Sequence, residues 1–189
     1  MAYPNPSSFV PLVIGTADGP TLTAAAAATC IPTASRLILP NNYWTVGKQW
    51  RVKMAGRVSC AVTTPGTFRI DFRTGPSGTI VAFDTGALNL NIVAKTTVPW
   101  QLDVDLTCRA VGSGTASNLF GIGRWTSEAV IGAPLPSVGG NGVLMCPVGT
   151  PAVGTGFDNT AANAVDWFFT QTVATGSFTL HQYEIWESI

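Results

Sequence analysis

The sequence predicts an all-β protein, an antiparallel β-sandwich of the jelly-roll type with little helix. Three observations carry this prediction. Apolar and polar residues alternate with a period of two over long segments, turn residues separate these segments every 10 to 15 residues, and a helical period is almost absent, with one weak instance at residues 158–165. Short strands joined by turns rich in glycine and proline are typical of sandwiches and barrels.

The longest alternating segments are residues 48–64 and 97–109, which we interpret as long half-buried strands with a bend expected at Gly56. Their inward faces are predicted to carry Trp50, Val52, Met54, Val58, Cys60 and Val62 in the first, and Trp100, Leu102, Val104, Leu106 and Cys108 in the second. The turn at 64–66 leads into residues 66–73, and Thr175-Gly176 joins residues 165–174 to 177–187. We expect both connections to form antiparallel hairpins.

Further strands are expected at residues 79–83, 87–90 and 119–131, and residues 132–156 should form one long loop.

Residues 1–34 are predicted to form an N-terminal arm outside the sandwich domain of residues 35–189. Four prolines exclude the first 20 residues from a central strand, whereas the segment is too apolar for a solvated tail. We expect the arm to lie on a neighbouring subunit or shell, so that removing residues 2–20 leaves the sandwich folded. The expected contact residues are Phe9, Val10, Leu12, Val13 and Ile14.

Charged residues make up only 11% of the chain, against about 25% in a typical soluble domain. A surface with so few charges is expected to lie against copies of the chain, and we expect a closed homo-oligomer, most simply a trimer. In the C-terminal strand, large side chains occur on both faces, so His181, Tyr183 and Ile185 are predicted to face a neighbouring subunit. The net charge is zero with no basic stripe, so nucleic acid is not expected as a partner.

The chain offers few groups for catalysis. Asp103 and Asp105 project from one strand face and could hold a cation or act as an acid and base, but cross-strand ion pairs with Arg51, Lys53 or Arg57 are the favoured interpretation. His181 would need a nearby nucleophile to act as a base. Hydrolase elbows, phosphate loops and zinc motifs are absent from the sequence, so no enzyme activity, catalytic residue, metal or cofactor is expected.

The four cysteines lie far apart in the sequence, and their phase predicts buried thiols, with a disulfide between Cys60 and Cys108 as the alternative. The six tryptophans could include a sugar-stacking platform, but Trp50, Trp100 and Trp167 lie in phase with core residues.

No signal sequence or spanning segment is recognised, so the chain is expected to stay in the compartment where it is made and to enter no membrane.

Several segments between residues 36 and 187 resemble structural proteins of tailed bacteriophages and prophages. They are the segment from Ile38 to Ser59 with its Tyr43-Trp44 and Lys48-x-Trp50 pairs, the strand from Val98 to Arg109, and Leu180-His181-Gln182-Tyr183. The resemblance is to β-rich head-decoration, or cement, proteins, which usually assemble as trimers. It implies a virion structural protein without catalytic activity. We expect the protein to sit on the capsid surface, to be made in the host cytoplasm and to have the major capsid protein as its partner. A tail-associated or fibre-head module that binds a host glycan or receptor through the long loop is the alternative.

Overall fold

The computed structural model describes residues 8–61, 64–90, 92–129 and 142–188. Twelve strands and one 3₁₀ turn at Thr33–Ser35 are found in these ranges. The strands are β1 (Phe9–Ile14), β2 (Ala27–Thr29), β3 (Leu37–Leu39), β4 (Gln49–Cys60), β5 (Thr67–Thr74), β6 (Ile80–Asp84), β7 (Leu88–Asn89), β8 (Lys95–Ala110), β9 (Asn118–Ser127), β10 (Val143–Cys146), β11 (Asn163–Gln171) and β12 (Ser177–Ser188).

The strands form two antiparallel sheets that pack face to face. The larger sheet has the order β1-β12-β4-β8-β9-β10, and the smaller sheet has the order β2-β11-β5-β6, with β3 beside β11 and β7 beside β5. The first and last strands are neighbours in the larger sheet, and the chain crosses repeatedly between the sheets. The four strands β1, β12, β4 and β8 oppose the four strands β2, β11, β5 and β6 in the jelly-roll arrangement, while β9 and β10 extend the larger sheet. The predicted fold class is therefore confirmed.

The core between the sheets is largely aromatic. Phe68 of β5 stacks on Phe178 of β12 with ring centroids 3.4 Å apart, and Trp100 stacks on Trp125 within the larger sheet at 4.9 Å. Every inward residue predicted from the alternation of β4 and β8 is buried where the structure describes it; Val62 lies outside the described residues. The period-two pattern therefore located the inner faces of both strands correctly.

Both predicted hairpins are wrong. The two edges of β4 are taken by β12 and β8, and β5 pairs with β11, β6 and β7 in the other sheet. Likewise, β11 belongs to the smaller sheet and β12 to the larger one. Because two amphipathic strands can bury their apolar faces against each other across the sandwich, a short connection does not require the strands to be hydrogen-bonded neighbours.

The described part of the predicted arm, residues 8–34, belongs to the sandwich of its own chain, so the boundary at residue 34 is wrong. Strand β1 forms an edge of the larger sheet against β12, and β2 forms an edge of the smaller sheet against β11. The prolines act as expected in one respect, because Pro11 lies on an edge strand at a register irregularity. Leu12 and Val13 pack against the core of the same chain.

Two local predictions also need correction. The segment 132–156 is not one continuous loop, because β10 lies within it and pairs with β9; residues 130–141 lie outside the described residues. The expected helical turn at 158–165 is a tight turn in which the Asp158 carboxylate accepts a hydrogen bond from the Thr160 N–H, at 2.8 Å, before β11 begins at Asn163.

Candidate functional site

The residues around Tyr43 and Trp50 form a hydrogen-bonded cluster that connects the segment before β4 to the end of β12. The Tyr43 hydroxyl donates a hydrogen bond to Glu187 Oε2 and accepts one from Trp50 Nε1 at 2.8 Å. Lys48 Nζ lies 2.9 Å from the same Glu187 oxygen and 3.7 Å from the centre of the Tyr43 ring. These residues join two distant parts of the chain and so stabilise the fold.

The charges in this hydrogen-bonded cluster predict that the stability of the folded protein depends on pH. Burial raises the pKa of Glu187, but the hydrogen bond from Tyr43 and the ion pair with Lys48 together outweigh burial and hold that pKa below its ordinary value. Burial and the hydrogen bond to Glu187 raise the pKa of Tyr43. An acid with a lowered pKa in the folded state stabilises the protein above its ordinary pKa of about 4.3, and this contribution is lost as the pH falls through the lowered value.

We therefore expect Glu187→Gln to lower the free energy of unfolding at pH 7 by about 1 to 2 kcal/mol, because a charged hydrogen-bond acceptor is lost. The difference between the variant and the wild type should shrink as the pH falls from the ordinary glutamate pKa of about 4.3 through the lowered pKa of Glu187, so it should be smaller at about pH 3 than at pH 7. Urea titration at both pH values, followed by tryptophan fluorescence, measures this difference. An equal loss at both values would show that Glu187 acts through packing alone.

The solvent-facing side of the larger sheet extends across all six of its strands, and we call it the outer face. Residues in register on neighbouring antiparallel strands share one side of a sheet, so its side chains form rows across the strands. In strand order, the first row is Pro11, Trp186, Arg51, Asp105 and Ile122; the middle row is Ile14, Glu184, Lys53, Asp103, Arg124 and Met145; and the third row is Gln182, Ala55, Gln101, Thr126 and Val143.

Charges lie at the centre of this outer face, and apolar side chains lie towards its margins. Large hydrophobic side chains are exposed there, namely Ile14 at 55%, Ile122 at 41%, Val143 at 50% and Met145 at 61%. Single exposed apolar residues are ordinary, but several on one ordered face mark a candidate contact surface. The sequence did not predict this face, because the residues of β10 fall in the expected loop 132–156 and local patterns do not contain the order of the strands.

Asp103 and Asp105 form the cross-strand ion pairs favoured by the sequence. Asp105 lies 3.1 Å from Arg51 Nε, and Asp103 lies 3.8 Å from Arg124 and directly opposite Lys53 in register. Arg124 was not among the expected partners, because its strand was not known to lie beside β8. With cationic partners around both carboxylates, the arrangement favours ion pairing over acid–base chemistry.

The predicted interface residues of β12 are separated by a β-bulge. The register of β12 against β4 shifts between Leu180 and Gln182, so the strand changes phase at His181. Tyr183 and Ile185 consequently point into the core and are fully buried, and their assignment to a subunit interface is wrong. His181 remains at the surface, with Nδ1 2.9 Å from Asp18 Oδ1. In β1, Ile14 is exposed, whereas Phe9, Val10, Leu12 and Val13 are half-buried on their own sheet.

The four cysteines are buried, as predicted, and none takes part in a disulfide. Burial raises the pKa of the Cys30 and Cys108 thiols, and it raises that of Cys146 to about 12, which suppresses the thiolate form. Within the described ranges, no group of three or more histidine, cysteine or acidic residues has the geometry to hold a metal ion.

A groove of about 790 Å³ lies at one end of the outer face, and its lining includes Ala55, Pro99, Gln101, Thr126 and Val143. Its volume suits a small ligand. Trp100 contributes to the floor of the groove, but its side chain is buried against Trp125, so it offers no open ring for stacking on a sugar. Trp50, Trp100 and Trp167 are core residues, as their phase predicted.

No protein-family model, no curated protein and no solved structure matches this chain. Its class is therefore known from the fold alone, as an all-β sandwich of two antiparallel sheets. Along the described residues, the structure contains no helix with the length and apolar character needed to span a membrane. The chain is thus an antiparallel β-sandwich whose most distinctive surface is the outer face, and its function has to be inferred from that surface and from the sequence.

Proposed function

We propose that this chain is a non-enzymatic structural protein of a tailed-phage virion, which decorates or cements the capsid surface as a symmetric homo-oligomer. The observation that carries the proposal is the outer face, which combines exposed apolar side chains with paired charges on a rigid sheet. Such a surface suits contacts between proteins, because the strands hold its shape before binding and little ordering is needed. The low charge content of the chain and the resemblance of its motifs to phage proteins support the same function.

The proposed mechanism is the burial of protein surface, repeated over many copies. A standard contact buries about 1,600 Å² in total, and most of its favourable free energy offsets the entropy lost on association. A capsid lattice multiplies the small surplus of each contact. In this proposal the partners are the major capsid protein and further copies of the chain, with three-fold order as the expected symmetry.

The test is quantitative mass spectrometry of phage particles purified from a strain that encodes the chain, with the major capsid protein as the internal standard. We expect hundreds of copies per particle, because decoration proteins occupy repeated positions on the shell. Absence of the chain from purified particles would overturn the proposal. A side-chain-resolution electron-microscopy map of the same particles would identify the face that contacts the shell.

The groove beside Pro99 favours the second candidate function, a tail-associated module that binds a host glycan or receptor. Amide, hydroxyl and carboxylate groups line it, from Gln101, Thr126 and Glu128, and such groups can bind sugar hydroxyls. This alternative predicts a few to tens of copies per particle and binding of the purified chain to glycans from the host surface. The copy number therefore separates the two functions.

A further inference from the structure

We propose that the outer face binds a second copy of itself about a two-fold axis that runs along the boundary between β4 and β8. This inference concerns the free protein and does not depend on a function in virions. It rests on the order of side chains across the sheet. Three strands lie on each side of the boundary, with β1, β12 and β4 on one side and β8, β9 and β10 on the other.

The middle row is self-complementary about this boundary. In a two-fold pair, each strand faces the strand at the same distance on the other side of the axis, so β4 meets β8, β12 meets β9, and β1 meets β10 of the second copy. Lys53 then faces Asp103, Glu184 faces Arg124, and Ile14 faces Met145. All six positions of the row meet a partner of opposite charge or of similar apolar character.

The first row follows the same rule. Arg51 faces Asp105 of the second copy, and Trp186 faces Ile122. In the third row the facing residues are uncharged, with Ala55 opposite Gln101 and Gln182 opposite Thr126. No like charges meet in any of the three rows, and this arrangement is what a self-associating face requires.

A two-fold axis that runs along the middle row, at right angles to the strands, would instead bring like charges together. Each residue of that row would then face its own copy, which places Lys53 against Lys53 and Asp103 against Asp103. Facing like charges are unfavourable, so the order of charges favours the axis between β4 and β8 over an axis along the middle row. Two sheets related by this axis keep their strands aligned, which is the common geometry for sheets packed face to face.

The area of the face indicates the size class of the contact. Six strands and the seven residues from Arg51 to Arg57 span a flat area of about 24 Å by 20 Å, from the usual strand spacing and rise per residue. Two such faces bury on the order of 1,000 Å², which is at the lower end for specific interfaces. We therefore expect a reversible dimer with a dissociation constant in the micromolar range, weakened by added salt because exposed charges are screened.

The test uses two single variants of the full chain and their mixture. Arg51→Glu places an acidic group against Asp105 of the second copy, and Asp105→Arg places a basic group against Arg51. We expect each variant alone to raise the dissociation constant at least tenfold in sedimentation equilibrium, while the circular dichroism spectrum stays that of the wild type. In an equimolar mixture, the two substituted positions face each other with opposite charges, and the unchanged Asp105 of one chain faces the unchanged Arg51 of the other. Association should therefore return in the mixture.

The matched control is Arg69→Glu, on the outside of the smaller sheet, where Arg69 Nη1 lies 3.1 Å from Asp84. Arg69 and Arg51 have similarly exposed side chains, at 44% and 51%, so the two variants make comparable local changes. We expect the control to dimerise like the wild type, with a mass of twice 19.7 kDa at high concentration.

Any of three results would overturn the inference: the wild type remains a monomer even at high concentration, Arg51→Glu leaves association unchanged, or the mixture of the two variants fails to associate. If the wild type forms a trimer that Arg51→Glu leaves unchanged, the second result applies and the proposed virion function still stands. Conversely, absence of the chain from particles would leave this dimer intact.

Discussion

Gly56→Ala should destabilise the protein by at least about 3 kcal/mol, because the position has no room for a side chain. A Cβ atom at Gly56 would lie 1.9 Å from the backbone oxygen of Thr179 and 3.0 Å from a ring carbon of Trp100. Neither neighbour can yield easily, since Thr179 O belongs to the β12 backbone and Trp100 is stacked in the core. The substitution must therefore displace β12 from β4 at the centre of the larger sheet.

Thermal unfolding followed by circular dichroism measures this effect. For a chain of this size, each kcal/mol lowers the melting temperature by about 2 to 4 °C, so a decrease of about 6 to 12 °C or more is expected. The matched control is Gly142→Ala, where the nearest atom to the added Cβ would be Ser127 O at 3.4 Å. We expect a change below about 2 °C for the control. Equal melting temperatures for Gly56→Ala and the wild type would show that the two strands can separate at no cost.

The close approach at Gly56 is linked to the β-bulge in the neighbouring strand. Leu180 pairs with Gly56 and Gln182 pairs with Ala55, so β12 contains one extra residue, His181, at this point. The sequence indicated an irregularity at Gly56, because glycine interrupts an otherwise regular strand. It did not indicate that the irregularity lies mainly in β12, because the bulge depends on how two distant segments pair.

This single residue explains why the interface prediction for β12 failed. Strand patterns have a period of two, so one inserted residue moves all following side chains to the opposite face. Counting from Leu180 without the bulge places Tyr183 and Ile185 outside, whereas the structure buries both. In β4 and β8, which alternate without interruption through their central residues, alternation predicts the face of every described side chain correctly. A period of two therefore predicts side-chain faces within a strand and fails where the pairing changes the register.

The candidate site shows the same limit. Sequence alternation placed Arg51, Lys53, Asp103 and Asp105 on outward faces, and the ion pair between Arg51 and Asp105 confirms that assignment. The complementary order of the rows could not be predicted, since it requires the positions of β9, β10 and β12 relative to β4. Those neighbours are set by contacts between residues far apart in the chain, which local patterns do not contain.

Removing residues 2–20 should strongly destabilise the sandwich, in contrast to the expectation from the sequence. Strand β1 pairs with β12 over residues Phe9–Ile14, and the chain continues this contact through hydrogen bonds from the N–H groups of Gly15 and Gly19 to β12 carbonyls, at 2.7 and 2.9 Å. Its half-buried apolar side chains are Phe9, Val10, Leu12 and Val13. At about 1 kcal/mol or more for each half-buried side chain, the loss is about 4 to 6 kcal/mol. A typical domain has a total stability of only about 5 to 15 kcal/mol.

Urea unfolding of the truncated chain, followed by tryptophan fluorescence, measures this loss, and we expect the midpoint to fall by about half or more. Two point variants in β1 distinguish the contribution of side-chain packing from that of the backbone pairing of the strand. Val13→Ser removes a side chain that packs on the core and should cost about 1 to 2 kcal/mol, whereas Ile14→Ser changes an exposed side chain and should cost less than about 0.5 kcal/mol. An unchanged midpoint after truncation would mean that β1 is dispensable for folding, and it would restore the interpretation of this segment as an arm available to another subunit.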